Sequence, residues 1–330
     1  MKKKFVLTLA LVLMVAGTLV AATPIEVSGS FSAGYDFEFT APATTVSGGS
    51  ADLVTILDFT GDFWKVSLDA GPVWYEDEDN GATAKAEIYL DKALAEQGVD
   101  MGDVALTLHV GTGVSGSAPS VLADKNDYAD DFVTSVGMST GGNFGVTVKY
   151  ADMVEVYASA FPSSSLPMVI GAKVMPLDGV EAAVGFTNDY SGNNAMTVSA
   201  KADVASLAGL EDIALAATGE FFLDLGAETS AIVADVDAEV AGIGIWAAYY
   251  NSMLDVNYMA AKASYSTTVS DFDLSASFKL DLGDLATSSD EIYTIGAGAE
   301  YAMGGVTYAL DAEYIVDGTF TLSPSVSISF

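Results

Sequence analysis

The 330-residue chain contains no cysteine, no arginine and one histidine, His109. Without cysteine, neither a disulfide framework nor thiol chemistry is possible. A single histidine cannot form the His/Cys clusters that hold zinc, and no glycine-rich phosphate-binding loop is present. Acid–base catalysis by paired carboxylates stays open in principle, but 45 acidic residues make any one pair uninformative. We therefore predict that the protein is not an enzyme and has no metal site and no cofactor.

Positive charge is also scarce. Twelve lysines face 45 acidic residues, and the formal net charge is −33. This balance argues against nucleic acid as a partner, because nucleic acid is bound through excess positive charge. Disorder is disfavoured as well, since 51% of the residues are hydrophobic and the mean hydropathy is +0.38. Acidic and apolar residues must therefore be segregated by position.

Long apolar runs are confined to the N-terminus. Lys2, Lys3 and Lys4 precede an apolar stretch, and Val20 and Ala22 are the small residues of a cleavage site. This pattern predicts a signal peptide over residues 1–22, with one mature domain over 23–330. A retained membrane anchor is the alternative. No later window reaches about 18 consecutive apolar residues, so a membrane location would require a closed β-barrel.

Apolar and polar residues alternate along segment after segment. The clearest cases are residues 25–39, 232–240 and 271–282, where apolar side chains share one parity and acids or serines the other. A period of two predicts β-strands, because successive side chains leave a strand on opposite faces. A helix would distribute these acids around its whole circumference. The chain is therefore predicted to be all-β.

Alternation leaves open which face is inside. A soluble β-sandwich would hold the apolar face in its core, whereas a transmembrane barrel would turn that face to lipid. The signal peptide and the many helix-free segments favour a transmembrane antiparallel barrel. In that arrangement the acids line the pore, because a charge facing lipid is costly. The predicted pore-lining acids are Asp235, Asp237, Glu239, Asp271, Asp273, Asp281, Asp311 and Glu313.

The last strand carries a family resemblance. Phe320, Val326, Ile328 and Phe330 lie on one apolar face, opposite serines and threonines, and the chain ends on the aromatic residue. This end resembles the closing strand of bacterial outer-membrane barrels, where the barrel assembly machinery reads the terminus. Overall the chain resembles the general porins. The resemblance implies the outer membrane of a diderm bacterium, contact with its lipid and a possible homotrimer. The missing arginine departs from the porin pattern and puts the usual arginine cluster at the constriction in doubt.

About nineteen strand-like segments can be counted. Single-chain bacterial barrels have an even number of strands, so we predict 18, with 16 as the alternative. Residues 91–98 are predicted to form a short helix or a loop. Glycine-containing turns are predicted at 140–142, 177–179 and 303–305.

Two acidic segments are candidate functional loops. Residues 112–130 form the longest stretch without a strand pattern, and in porins a long loop narrows the pore. The alternative is a solvated surface loop, and its side of the membrane stays open. Residues 76–81 are favoured as an exposed hairpin over a calcium site, because their spacing matches no calcium loop. The candidate constriction residues are Asp124, Asp127, Asp130 and Asp131.

These observations predict a passive, water-filled channel for small cations and small polar solutes. The alternative is a structural or adhesive barrel with an occluded lumen. A transporter of hydrophobic substrates would need a plug segment before the first strand, and Thr23 and Pro24 leave no room for one.

Overall fold

The computed structural model describes residues 25–40, 51–70, 83–116, 140–161, 166–188, 194–210, 212–226, 229–251, 257–284, 292–316 and 318–330. The predicted signal peptide, the 76–81 hairpin and the candidate constriction residues 124–131 lie outside these ranges.

The described residues form eighteen antiparallel strands. The predicted all-β barrel with 18 strands is therefore confirmed. The strands are β1 (Glu26–Tyr35 and Phe37–Thr40), β2 (Ala51–Gly61), β3 (Trp64–Ala70), β4 (Thr83–Tyr89), β5 (Val104–Gly116), β6 (Thr140–Tyr150), β7 (Val154–Ala160), β8 (Met168–Leu177), β9 (Val180–Asn188), β10 (Asn194–Asp203), β11 (Ile213–Asp224), β12 (Thr229–Val240), β13 (Ile243–Asn251), β14 (Asn257–Val269), β15 (Phe272–Asp284), β16 (Ile292–Met303), β17 (Val306–Ile315) and β18 (Thr319–Ser329).

The barrel closes between its first and last strands. Each strand pairs with the next, and β18 pairs with β1, so that Ser30 lies opposite Ser329. Beyond this pair, the backbone N–H of Phe330 donates to the Gly29 carbonyl at 3.0 Å, and the Gly29 N–H donates back at 2.8 Å. Closure therefore leaves neither β1 nor β18 as an open edge.

The first strand is interrupted at Asp36 without losing register. Gly34 pairs with Ser325 and Phe37 with Leu322, which is the same offset on both sides of the break. Pro324 lies within the partner segment and has no N–H to donate, so the ladder cannot be continuous there. The alternation over residues 25–39 consequently survives the break.

One end of the barrel carries short connections. The turns at 178–179, 241–242 and 304–305 join consecutive strands there. Gly304 and Gly305 have φ angles of 64° and 83°, as a two-residue hairpin turn requires. The turns predicted at 177–179 and 303–305 are confirmed. The one predicted at 140–142 is wrong, because these residues belong to β6 and pair with residues 114–116 of β5.

Two short helices lie at this same end. Helix α1 (Leu90–Ala95) follows β4, in the region for which the sequence predicts either a short helix or a loop. Helix α2 (Val204–Ala208) follows β10, and the Asp203 side chain caps it by accepting from the Ser206 N–H at 2.9 Å. None of the helices in the described ranges is long and apolar enough to cross a membrane.

The opposite end carries the longest connection. Residues 117–139 join β5 to β6 there, away from the end at which β1 begins and β18 finishes. Strand β5 continues to Gly116, so the stretch predicted to lack strand from residue 112 starts too early. Bacterial barrels have short periplasmic turns and longer extracellular loops. By this rule we expect the connection between β5 and β6 to lie on the extracellular side.

The concave face can be identified from contacts that skip a strand. His109 on β5 and Tyr157 on β7 have ring centroids 6.2 Å apart, although β6 lies between these strands. Side chains can meet in this way only on the inside of the curved sheet. Following the pairing register around the barrel from this row assigns every strand an inward and an outward parity.

The outward parity carries exposed apolar side chains. On β12 it presents Ile232 and Val236, each 46% exposed. The inward parity of the same strand presents Asp235 and Asp237. The alternation predicted over 232–240 therefore corresponds to the two faces of the barrel wall, with the acids inside.

Candidate pore wall

Most of the predicted pore-lining acids lie on the inward parity. Asp235 is 4% exposed and accepts a hydrogen bond from the Trp246 indole N–H at 3.2 Å. Its neighbours Asp237 and Glu239 become progressively more exposed toward the short-turn end. Strand β12 therefore carries three inward carboxylates in markedly different degrees of burial.

The acids of β15 are divided between the wall and a turn. Asp273 faces inward and accepts a hydrogen bond from the Thr268 hydroxyl at 2.6 Å, and Asp281 forms an ion pair with Lys279 at 3.2 Å. The assignment of Asp271 to the pore wall is wrong. This residue lies with Ser270 in the two-residue turn between β14 and β15, because the hairpin closes at the Val269–Phe272 pair.

Strand β17 contributes Asp311 and Glu313, both inward-facing and exposed. They pair with Gly298 and Gly296 on β16, where a Cβ on Gly298 would lie 2.5 Å from the Asp311 carboxylate oxygen Oδ1. The glycine therefore gives the carboxylate room to lie against the wall. With the neighbouring hydroxyls, these acids line a concavity of about 330 Å³. Its polar lining comprises Ser275, Ser277, Asp311, Glu313, Thr321 and Ser323.

A polar network on β4, β5 and β6 is not evident from the sequence. Glu87 on β4 is its centre: Lys85 Nζ lies 2.7 Å from the carboxylate, and the Tyr89 hydroxyl donates to it at 3.1 Å. His109 Nδ1 lies 3.6 Å from Glu87 Oε1, and its Nε2 lies 2.9 Å from the Thr147 hydroxyl oxygen. Acidic and basic groups therefore lie side by side on this part of the inner wall.

Further ion pairs occupy the neighbouring strands. They join Lys65 to Asp58 at 2.9 Å and Lys149 to Glu155 at 2.9 Å, while Lys173 and Glu181 lie 3.7 Å apart. A sequence signal did exist, because the lysines fall on the polar parity of their strands, near acids. Which acid each lysine meets depends on the register between strands, and alternation within one strand does not give it.

The aromatic residues of the last strand lie on the outward parity. Phe320 packs near Phe39 of β1, with ring centroids 5.9 Å apart, and Phe330 is 63% exposed. Val326 and Ile328 share this face and pair with Ala33 and Phe31. Their recognition by the assembly machinery stays a prediction.

Among the residues that the structure describes, no group of three or more His, Cys, Asp or Glu side chains could hold a metal ion.

Comparison with known proteins identifies the fold. No protein-family model matches the chain, and no curated protein sequence matches it. Among solved structures, the chain is similar to OpdQ of Pseudomonas aeruginosa, with a TM-score of 0.55 and 10% identity over 93% of this chain and 97% of that one. It is also similar to OccK10 (OpdN) of the same species, with a TM-score of 0.58 and 9% identity over 92% and 99% of the two chains.

A third similar structure is a mutant of the Rh. blastica porin, with a TM-score of 0.55 and 11% identity. The match covers 93% of this chain and all of that one. Similarity at such low identity concerns the fold. The predicted resemblance to porins is thus confirmed at the level of architecture, over nearly the whole length of both chains.

Proposed function

We propose that the protein is an outer-membrane porin, a passive and water-filled channel that prefers small cations and small polar solutes. The observation that carries this proposal is the two-sided wall of a closed 18-stranded barrel. Its outward parity exposes large apolar side chains, and its inward parity carries carboxylates, lysines and hydroxyls. Barrels of 16 to 18 strands are wide enough to leave an aqueous channel.

The outward face supports a lipid environment. Ile245, Ile295 and Leu310 are about half exposed on three different strands. A soluble monomer rarely exposes contiguous apolar surface larger than a few hundred Å². A barrel in lipid needs this surface, because its backbone groups are already paired between strands. Insertion by the barrel assembly machinery and a homotrimeric assembly stay predictions from the resemblance.

The cation preference follows from charge. Removing residues 1–22 removes three lysines and no acid, which leaves nine lysines against 45 acids, or −36. A negatively charged lumen raises the local concentration of cations and lowers that of anions. The direction of the selectivity is therefore set by the sign of the wall charge.

Reconstitution in planar bilayers tests this proposal. The detergent-folded protein should form open channels, and a KCl gradient should give a reversal potential of the sign expected for cation preference. A small uncharged polar solute should enter proteoliposomes through the channel. Channels that prefer anions would contradict the selectivity, and a folded barrel that never conducts would contradict the channel itself.

The second candidate is a structural or adhesive barrel with an occluded lumen. One observation favours it: inward-facing Glu220 and Asp235 are each only 4% exposed, so part of the inner wall is shielded from water. The conductance measurement separates the two functions, because an occluded barrel gives no step currents at moderate voltage.

A further inference from the structure

The inner wall differs in exposure between two groups of strands. Within the described part of the chain, the buried polar and charged side chains lie on β6 to β12. Ser199, Thr218, Glu220 and Asp235 are examples, each 3 to 5% exposed. We call the buried inward-facing residues of β10 to β12 the covered wall, which excludes the exposed Glu239 near the end of β12.

Four inward-facing acids of β15 to β17 are exposed instead: Asp273 on β15, Glu300 on β16, and Asp311 and Glu313 on β17. The register places all four on the inward parity, since Asp273 pairs with Glu300, and Asp311 pairs with Ser323 of β18. Asp281 on β15 also faces inward, but it is only partly exposed and pairs with Lys279. We call the inward-facing residues of β15 to β18 the open wall.

Small residues deepen the open wall. A Cβ on Gly298 would lie 2.6 Å from the Ser275 hydroxyl, and one on Gly296 would lie 2.5 Å from the Ser277 hydroxyl. Larger side chains at these positions would occupy the space that the hydroxyls and the Asp311 carboxylate now fill. The resulting concavity presents oxygen atoms from carboxylates and hydroxyls together. Oxygen atoms of this kind replace part of the hydration shell of a cation.

Charge differs between the two regions as well. No lysine follows Lys279 in the sequence, whereas residues 280–330 contain the acids Asp281, Asp284, Asp290, Glu291, Glu300, Asp311, Glu313 and Asp317. On β2 to β9, by contrast, lysines pair with acids at 2.7 to 3.7 Å. On the open wall itself, Lys279 of β15 pairs with Asp281 at 3.2 Å, and β16, β17 and β18 contain no lysine. Asp311 and Glu313 therefore lie on a strand that has no lysine and whose two neighbouring strands have none.

We infer that cations cross the barrel off-centre, along the open wall, and that Asp273, Glu300, Asp311 and Glu313 determine the selectivity. The preferred organic solutes are small ammonium compounds with hydroxyl groups, because the wall offers carboxylates and hydroxyls side by side. This inference rests on the proposed channel function and deepens it. The acids of the covered wall contribute little, although they carry the same charge.

The first test compares two variants that each remove two negative charges. In the open-wall variant, Asp311→Asn is combined with Glu313→Gln. In the matched covered-wall variant, Asp235→Asn is combined with Glu220→Gln. In the open-wall variant we expect the ratio of K⁺ to Cl⁻ permeability to fall roughly threefold or more. In the covered-wall variant this ratio should change by less than about half of its wild-type value. Equal changes, or a larger change in the covered-wall variant, would overturn the inference.

A second test needs no current and covers the case in which a buried substitution impairs folding. The chain has no cysteine, so a single introduced cysteine is a unique label. The two variants are Ser323→Cys, at a residue of the open wall, and Ser199→Cys, at a residue of the covered wall. We expect a cationic methanethiosulfonate to modify the cysteine of the Ser323→Cys variant about tenfold faster than an anionic one of similar size, because the wall is negative. The Ser199→Cys variant should react slowly with both reagents.

The readout is the mass of the detergent-folded protein over time, with a heat-unfolded sample as the control for thiol reactivity. Equal rates for the two variants, or a faster reaction of the Ser323→Cys variant with the anionic reagent, would overturn the inference. A folded wild-type protein that shows the expected labelling but no conductance would instead contradict the proposed channel. The two failures are therefore distinguishable.

Discussion

His109 Nδ1 lies 3.6 Å from Glu87 Oε1, and this pair joins β5 to β4 on the inside of the barrel. The other ring nitrogen lies 2.9 Å from the Thr147 hydroxyl oxygen, which extends the connection to β6. Glu87 also forms an ion pair with Lys85 and accepts a hydrogen bond from the Tyr89 hydroxyl. One carboxylate thus ties together polar groups that would otherwise be separate on three neighbouring strands.

Replacing Glu87 with Gln should destabilise the barrel. The amide keeps the shape of the side chain but removes the negative charge that faces Lys85 and His109. Removing one partner of a buried or half-buried ion pair is strongly destabilising, because the other charge is left without compensation. We expect the unfolding free energy in urea to fall by about 1 to 3 kcal/mol. The matched control is Glu155→Gln, whose partner Lys149 is 55% exposed, and an exposed pair contributes about 0 to 1 kcal/mol. Equal losses in both variants would contradict the special role of Glu87.

Gly111 should tolerate no side chain. Its φ is +138°, and an added Cβ would overlap the Ala84 carbonyl oxygen on β4. We expect Gly111→Ala to cost more than the roughly 1 to 3 kcal/mol of backbone strain alone, because the ladder must also move apart. The measurement is the temperature at which the band shifts to the unfolded position in SDS gels.

Gly102→Ala is the control for that substitution. Gly102 also has a positive φ, +60°, but no atom lies within 4 Å of the Cβ position. It should show only the strain of the left-handed backbone. A Gly111→Ala variant as stable as Gly102→Ala would show that the strands separate there at little cost.

Phe330→Asp should reduce insertion into the outer membrane. The side chain of Phe330 lies on the outward face, and a carboxylate there would oppose lipid contact as well as the proposed recognition of the chain end. Secretion should continue, since the predicted signal peptide is unchanged. Phe272→Asp, at an outward aromatic residue that is 48% exposed on β15, controls for charge alone. The assembly role is refuted if both variants insert equally well.

Selectivity should weaken as salt rises. The screening length is about 10 Å at 0.1 M and about 3 Å at 1 M, so wall charges influence the pore axis only in dilute salt. The reversal potential under a fixed tenfold KCl gradient should therefore be largest at the lowest concentrations and decline steadily. A salt-independent reversal potential would indicate that a narrow binding site, and not the wall potential, selects the ions.

The sequence predicts the strands of this barrel well because each strand is two-sided. Asp235 faces the inside of the barrel and Val236 faces outward, so the alternation of acidic and apolar residues in the sequence corresponds directly to the two faces of the strand. The residues at which strands begin and end are harder to predict from the sequence. Asp271 keeps the parity of β15 but lies in a two-residue turn, and Ser270, with a φ of 60°, gives no glycine signal for that turn.

Contacts between strands could not be predicted from alternation. Glu87 meets His109 because β4 and β5 pair with one particular offset. The sequence of one strand fixes the face of each residue but not the neighbour across the ladder. Asp235 on β12 and Asp311 on β17 also have similar sequence surroundings, although the first is buried and the second is exposed. Their difference in exposure depends on the whole barrel and cannot be seen in the sequence of either strand.

The reciprocal hydrogen bonds between Gly29 and Phe330 have a consequence for folding kinetics. These residues are 301 positions apart in the chain, so their pairing is among the least local in the molecule. Loop-closure entropy must be overcome before such a contact gives any stabilisation, and non-local pairing slows folding. Partial chains can form hairpins between successive strands, but the ring cannot close until β18 is available to pair with β1. Until then β1 exposes an unpaired edge, which makes protection of that edge a requirement of biogenesis.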